Sequence, residues 1–151
     1  MKRRHVSWLL GGLFISVTHS LCAQPTPLPT ELNLSADPAA LSRHITYLSS
    51  LSRHHENLAG LDTAAAYIKA QIEQFGLPCE YQNYNVNAQT YRNVVCTLNP
   101  DKSDTVIVGA HYDSYSDLPG ADDNASGTAG VIELARLLQA QEAWLPQQLE
   151  L

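Results

Sequence analysis

The stretch that most limits the fold runs from Asp104 to Gln141. An apolar run rich in β-branched residues, DTVIVGA at 104–110, opens directly onto a polar loop, HYDSYSDLPGADDNASG at 111–127. The loop passes at once into a helical pattern, GTAGVIELARLLQAQ, in which Val131, Leu134, Ala135 and Leu138 share a face. The apolar run is short and unbroken, as in a strand buried on both faces of a sheet. Strand, loop and helix in that order make an α/β unit, and open α/β sheets bind ligands at the carboxyl ends of their strands. His111, the first residue after the run, is placed at that rim.

The rest of the chain fits the same class. Asp37 and Pro38 read as an N-cap and first helical residue, and Leu41, Ile45, Leu48 and Leu51 continue a helix of about four turns. The polar segment SRHHEN follows as a loop. Asp62 or Thr63 caps a second helix, TAAAYIKAQIEQF, with Ala65, Ile68, Ile72 and Phe75 as its apolar stripe and Gly76 at its C-terminal cap. CEYQNYNV and TYRNVVCTL, separated by NAQ, predict a β-hairpin. The final LPQQLEL reads as the approach to a further strand, and a sheet ending there would keep an uncovered edge. A length of 151 residues suits one domain.

The first residues belong to no fold. Lys2, Arg3 and Arg4 precede an apolar stretch from Val6 to Val17, and small or polar residues lead to Ala23. Residues 1–23 therefore read as a secretory signal peptide, 24–36 as an extended lead-in and 37–151 as the domain, which predicts export to the periplasm or the exterior. Loss of the three N-terminal cations takes the net charge from −6 to −9. That balance argues against nucleic acid and against anionic membrane surfaces as partners.

Cys79 and Cys96 flank the hairpin and remain after cleavage. In an exported chain they pair as a disulfide or stay as buried thiols, and the bonded form is expected. A turn near 87–90 puts Cys79 opposite Leu98, two residues beyond Cys96 on the same face. A change of register would bring the two into bonding range.

The chemistry gathers in the loop. His111 offers a neutral imidazole, Asp113 stands two residues on, and Asp122, Asp123 and Asn124 follow. Imidazole and carboxylate are the ligands that zinc accepts, and a carboxylate close to a ligand histidine fixes its tautomer. The competing reading is a set of solvated loop acids beside a surface histidine. Without a cation, so many acids in one loop would repel one another.

GAHYDS and PGADDNASG resemble the signature of the co-catalytic zinc exopeptidases, the family of leucyl aminopeptidases, glutamate carboxypeptidases and glutaminyl cyclases. SRHHENLAGLDTAAAYIKAQIEQFGL is similar to that family's loop and helix upstream. The resemblance covers roughly 37–151 and implies a three-layer α/β sandwich with a mixed sheet, interrupted after the helix that follows the first metal motif. It implies His111 as a ligand of one zinc, Asp123 as the bridge between two zinc ions and Asp113 as the supporting acid, with Asp122 shaping the loop. It implies a cis peptide bond at Asp123–Asn124, which turns the carboxylate toward the metals while helix 127–140 starts behind it. The family's Glu-Glu pair and later ligands have no counterpart in 37–151, and His54, His55 and Glu56 lack the spacing of a helical HExxH site. The function so implied is metal-assisted removal of N-terminal residues from peptides, with this chain holding an incomplete site. A carboxypeptidase or glutaminyl cyclase of the same fold, or a non-catalytic or truncated relative, is the alternative.

Overall fold

The structure, a computed structural model, describes residues 34–151. The signal peptide at 1–23 and most of the lead-in at 24–36 lie outside the described residues. Helix α1 spans Pro38–Ser49 and α2 spans Leu58–Glu73. Strands β1 (Cys79–Val86), β2 (Gln89–Leu98) and β3 (Thr105–Ile107) follow, then α3 (Ser126–Gln139) and β4 (Gln148–Glu150). None of the described helices is long and apolar enough to cross a membrane.

The four strands form one mixed sheet in the order β1-β2-β4-β3, with β4 antiparallel to β2 and parallel to β3. The segment LPQQLEL thus supplies an inner strand. Leu48 of α1, Ile68 and Ile72 of α2, and Ile132 and Ala135 of α3 close over Cys96, Leu98, Leu149 and Leu151 as a single core.

Helix α1 begins where its cap predicts: the Asp37 carboxylate accepts from the Ala39 amide at 2.9 Å. Helix α2 starts a turn earlier than Asp62 or Thr63. Asn57 is the cap, its side-chain oxygen accepting from the Gly60 amide at 3.0 Å, and it closes the SRHHEN loop. The C-terminal cap of α2 is Gln74, in a right-handed helical conformation, and Gly76 turns the chain two residues later with a φ of +94°.

The hairpin turns on two residues, Asn87 and Ala88, both with positive φ. A two-residue turn of this kind matches the twist of the flanking strands. It pairs Val86 with Gln89 and therefore Cys79 with Cys96, not with Leu98. The amide and carbonyl of Cys96 bond to Leu151 of the neighbouring segment, so none of that bonding faces Cys79. This is the closely spaced type of antiparallel pair, and the two cysteines are disulfide-bonded with Cα atoms 4.1 Å apart.

The run 104–110 differs from a strand buried on both faces. Only Thr105–Ile107 is strand, and Val106 and Ile107 are exposed, Ile107 by 73%. Strand β3 lies at the edge of the sheet beside β4, and Val108 is the residue of the run that packs against the core. Helix α3 is also rotated from its expected face. Thr128, Ala129, Ile132, Glu133 and Ala135 are buried, whereas Val131, Leu134 and Leu138 pack only partly against the core.

Candidate metal centre

The Val108 amide extends the β3 pairing with a bond to the Glu150 carbonyl at 2.9 Å, and His111 follows three residues further on. From the opposite side, α3 presents its first turn. The buried Thr128 hydroxyl lies 3.1 Å from both the His111 and the Asn124 carbonyls, tying the two arms of the loop together.

Between these arms lies an irregular turn, Ala121–Ala125, with the Asp123–Asn124 peptide bond in the cis form. Its flanks are built for close approach. Gly120 has a φ of +54°, and a Cβ there would stand 2.6 Å from the Asp123 carbonyl oxygen and 2.9 Å from the Ser114 Cβ. A Cβ on Gly127 would come within 2.3 Å of the Asn124 Oδ1, which accepts from the Gly127 amide at 3.1 Å. Gly120 is there for conformation and space, Gly127 for space alone.

The turn aims Asp123 at His111. The imidazole Nε2 lies 3.1 Å from the Asp123 Oδ1, and its Nδ1 lies 3.0 Å from the Asp113 Oδ1. The Asp113 carboxylate is placed to accept a hydrogen bond from the ring Nδ1–H, with Nε2 turned toward Asp123. A cation held between Nε2 and the Asp123 carboxylate would share the two donors. Two ligands about 2.0–2.1 Å from one ion at a tetrahedral angle stand roughly 3.3 Å apart, close to the spacing here. Imidazole with carboxylate is also a donor set suited to zinc. The residues fit a metal ion, although no group of three or more His, Cys, Asp or Glu residues converges on one point among the described residues. The side chains of His111, Asp113 and Asp123 are 51–76% exposed, so their contacts add little to stability.

His54, His55 and Glu56, expected to be a plain loop between helices, line the same cleft of about 450 Å³ with His111, Asp113 and Asp123. His54 Nε2 lies 3.2 Å from the Asp117 Oδ1, and neither it nor His55 reaches the His111–Asp123 pair as an ion-pair partner. Asp122 engages through its carbonyl, which accepts from the Ser126 hydroxyl at 3.1 Å. Two residues that the sequence did not single out hold the loop: Thr128, and Arg53, which is wholly buried and donates to the Pro119 and Gly120 carbonyls. Burial pushes the Arg53 guanidinium below its ordinary pKa, and the Asp113 and Asp123 carboxylates pull it back up. An arginine in a polar loop looks solvated, so no local signal marked it.

The mixed sheet with its helices matches the fold of solved zinc exopeptidases and glutaminyl cyclases. The solved structure of Porphyromonas gingivalis glutaminyl cyclase superposes with a TM-score of 0.65 at 20% identity, over 78% of this chain and 44% of that one. A Zn-dependent exopeptidase from Parabacteroides distasonis gives 0.63 at 19%, over 82% and 47%. The chain matches Peptidase family M28 over residues 93–151. It is 38% identical over 116 residues to the uncharacterized protein YfbL of Escherichia coli (strain K12), covering 70% of this chain and 36% of that protein. It is 28% identical over 145 residues to leucine aminopeptidase 1 of Paracoccidioides brasiliensis (strain Pb03), covering 79% and 37%. The chain spans little more than a third of the length of these relatives.

Proposed function

We propose that this chain carries the first part of the metal centre of a zinc-dependent exopeptidase, an aminopeptidase that removes N-terminal residues from peptides. The observation that carries the reading is the convergence of His111 Nε2 and Asp123 Oδ1 at 3.1 Å, with Nδ1 held by Asp113. Relatives named leucine aminopeptidase and a structural neighbour named Zn-dependent exopeptidase support it. The likeness to glutaminyl cyclases is one of fold. His111 and Asp123 would hold the ion, Asp123 with its second oxygen free for another, and Asp113 fixes the ring so that Nε2 faces inward. Zinc, when bound, polarises a scissile carbonyl and lowers the pKa of a bound water. The signal peptide reading adds export to the periplasm or exterior as part of the proposal.

Catalytic zinc sites use about three protein ligands per ion, and two donors meet here. The chain is therefore expected to bind zinc more weakly than micromolar in a calorimetric titration and to release no amino acid from a small peptide. Asp123→Asn should abolish the binding heat, and an unchanged heat contradicts the ligand role. In the whole gene product, aminopeptidase action means release of the first residue from a free peptide and none from its N-acetylated copy. Equal release from both contradicts it.

A further inference from the structure

Arg53 is wholly buried, yet among the described residues none of its hydrogen-bond partners is a carboxylate. An arginine is almost never fully buried without a paired charge, so its placement calls for a reason beyond packing. Its Nη1 donates to the Pro119 carbonyl at 3.2 Å and its Nη2 to the Gly120 carbonyl at 2.6 Å, while Nε has no hydrogen-bond partner among the described residues. The Gly120 carbonyl also accepts from the Ala125 amide at 3.0 Å, so the fork grips the base of the turn that contains Asp123. The carbonyl of Arg53 accepts from the Ser114 amide at 3.1 Å, one residue past Asp113. One residue therefore holds both arms of the loop, the Asp113 arm by its backbone and the Asp123 arm by its side chain.

We propose that Arg53 is the positioning residue of the metal-ligand loop, its guanidinium fork setting the turn that aims Asp123 at His111 before any ion arrives. The proposal rests on the reading of His111 and Asp123 as ligands. It also sets a fixed cation of the chain's own near the Asp113 and Asp123 carboxylates, offsetting their mutual repulsion. Lysine keeps the charge of arginine but cannot fork onto two carbonyls.

Charge and position make opposite demands on a variant. If Arg53 acted only as a charge, Arg53→Met would strengthen zinc binding by removing a cation near the carboxylates, and Arg53→Lys would leave it unchanged. Acting by position, it makes both variants weaker by roughly tenfold or more, as for other residues that orient metal ligands. Zinc chloride titrated into the full chain, followed through the imidazole NMR signals of His111, reads the difference. Amide exchange without zinc is the second measurement. Protection of the Ala125 amide should fall in both variants while amides of α2 stay protected. Tighter or unchanged zinc binding, or unchanged Ala125 protection, overturns the proposal. Should Arg53→Met fail to fold, Arg53→Lys decides. If the unaltered chain responds to zinc no more than His111→Ala does, the ligand reading fails, and the Ala125 amide alone decides the role of Arg53.

Discussion

Gly120 and Gly130 show how differently two glycines of one chain are constrained. Gly120 combines a φ of +54° with a contact of 2.6 Å at the place of a Cβ, so Gly120→Ala meets both backbone strain and a backbone clash. A loss of about 2 kcal/mol or more in urea unfolding is expected, from strain of about 1–2 kcal/mol plus overpacking. Gly130 lies inside α3 with nothing within 4 Å of that place. Gly130→Ala should stabilise by about 0.5–1 kcal/mol, the ordinary helical preference for alanine. A stabilising Gly120→Ala would show that the turn is not held as described. At this scale the sequence was legible where chemistry and spacing coincide, as where His111 and Asp113 meet, while the cis Asp123–Asn124 bond was what the resemblance implied. Arg53 and Thr128 were not legible, because the partners that tie them across the loop are backbone carbonyls 17–67 residues away in the chain.

Helices α1 and α3 are joined by polar groups that periodicity does not reveal. His44 is buried on α1 with its Nδ1 2.7 Å from the Tyr67 hydroxyl of α2. Glu133 is buried on α3, where it accepts from Arg136 at 2.6 and 2.9 Å and from the Asp37 amide at 2.7 Å. Reading only apolar residues gave a face of α3 turned toward Val131 and Leu138, whereas the packed face includes Thr128 and Glu133. Burial and the nearby Arg43 lower the His44 pKa below 6.5, against an opposing pull from Glu133. The Arg136 hydrogen bond, with the Asp37 amide, lowers the Glu133 carboxyl below 4.5 against its burial. In both cases the unfolded chain takes up the proton first as pH falls, so stability is full at neutral pH and declines on acidification. The decline should begin below about 6.5 through His44 and steepen below 4.5 through Glu133. His44→Gln should flatten the first limb in melts taken across pH 5–7, and an unaltered limb would contradict this assignment.

Over the whole molecule, the class of fold was readable because helix caps, the hairpin and the strand–loop–helix unit agree with one another. Sheet order was not. Composition marks Val106 and Ile107 as apolar, but only the topology shows that β3 is the edge beside β4 rather than a covered inner strand. The disulfide was expected, and its register follows from a two-residue turn that a three-residue NAQ loop would have shifted. Strand, turn and helix start combine at one place: β3 leads toward His111, α3 anchors the turn, and His111 and Asp123 stand at a spacing that suits one ion. Zinc K-edge absorption on the chain at millimolar concentration, with zinc below one equivalent, tests this most directly. The expected spectrum shows imidazole scattering with nitrogen and oxygen ligands at about 2.0–2.2 Å, lost in His111→Ala. A spectrum of six-coordinate hydrated zinc, the same with and without His111, would contradict it.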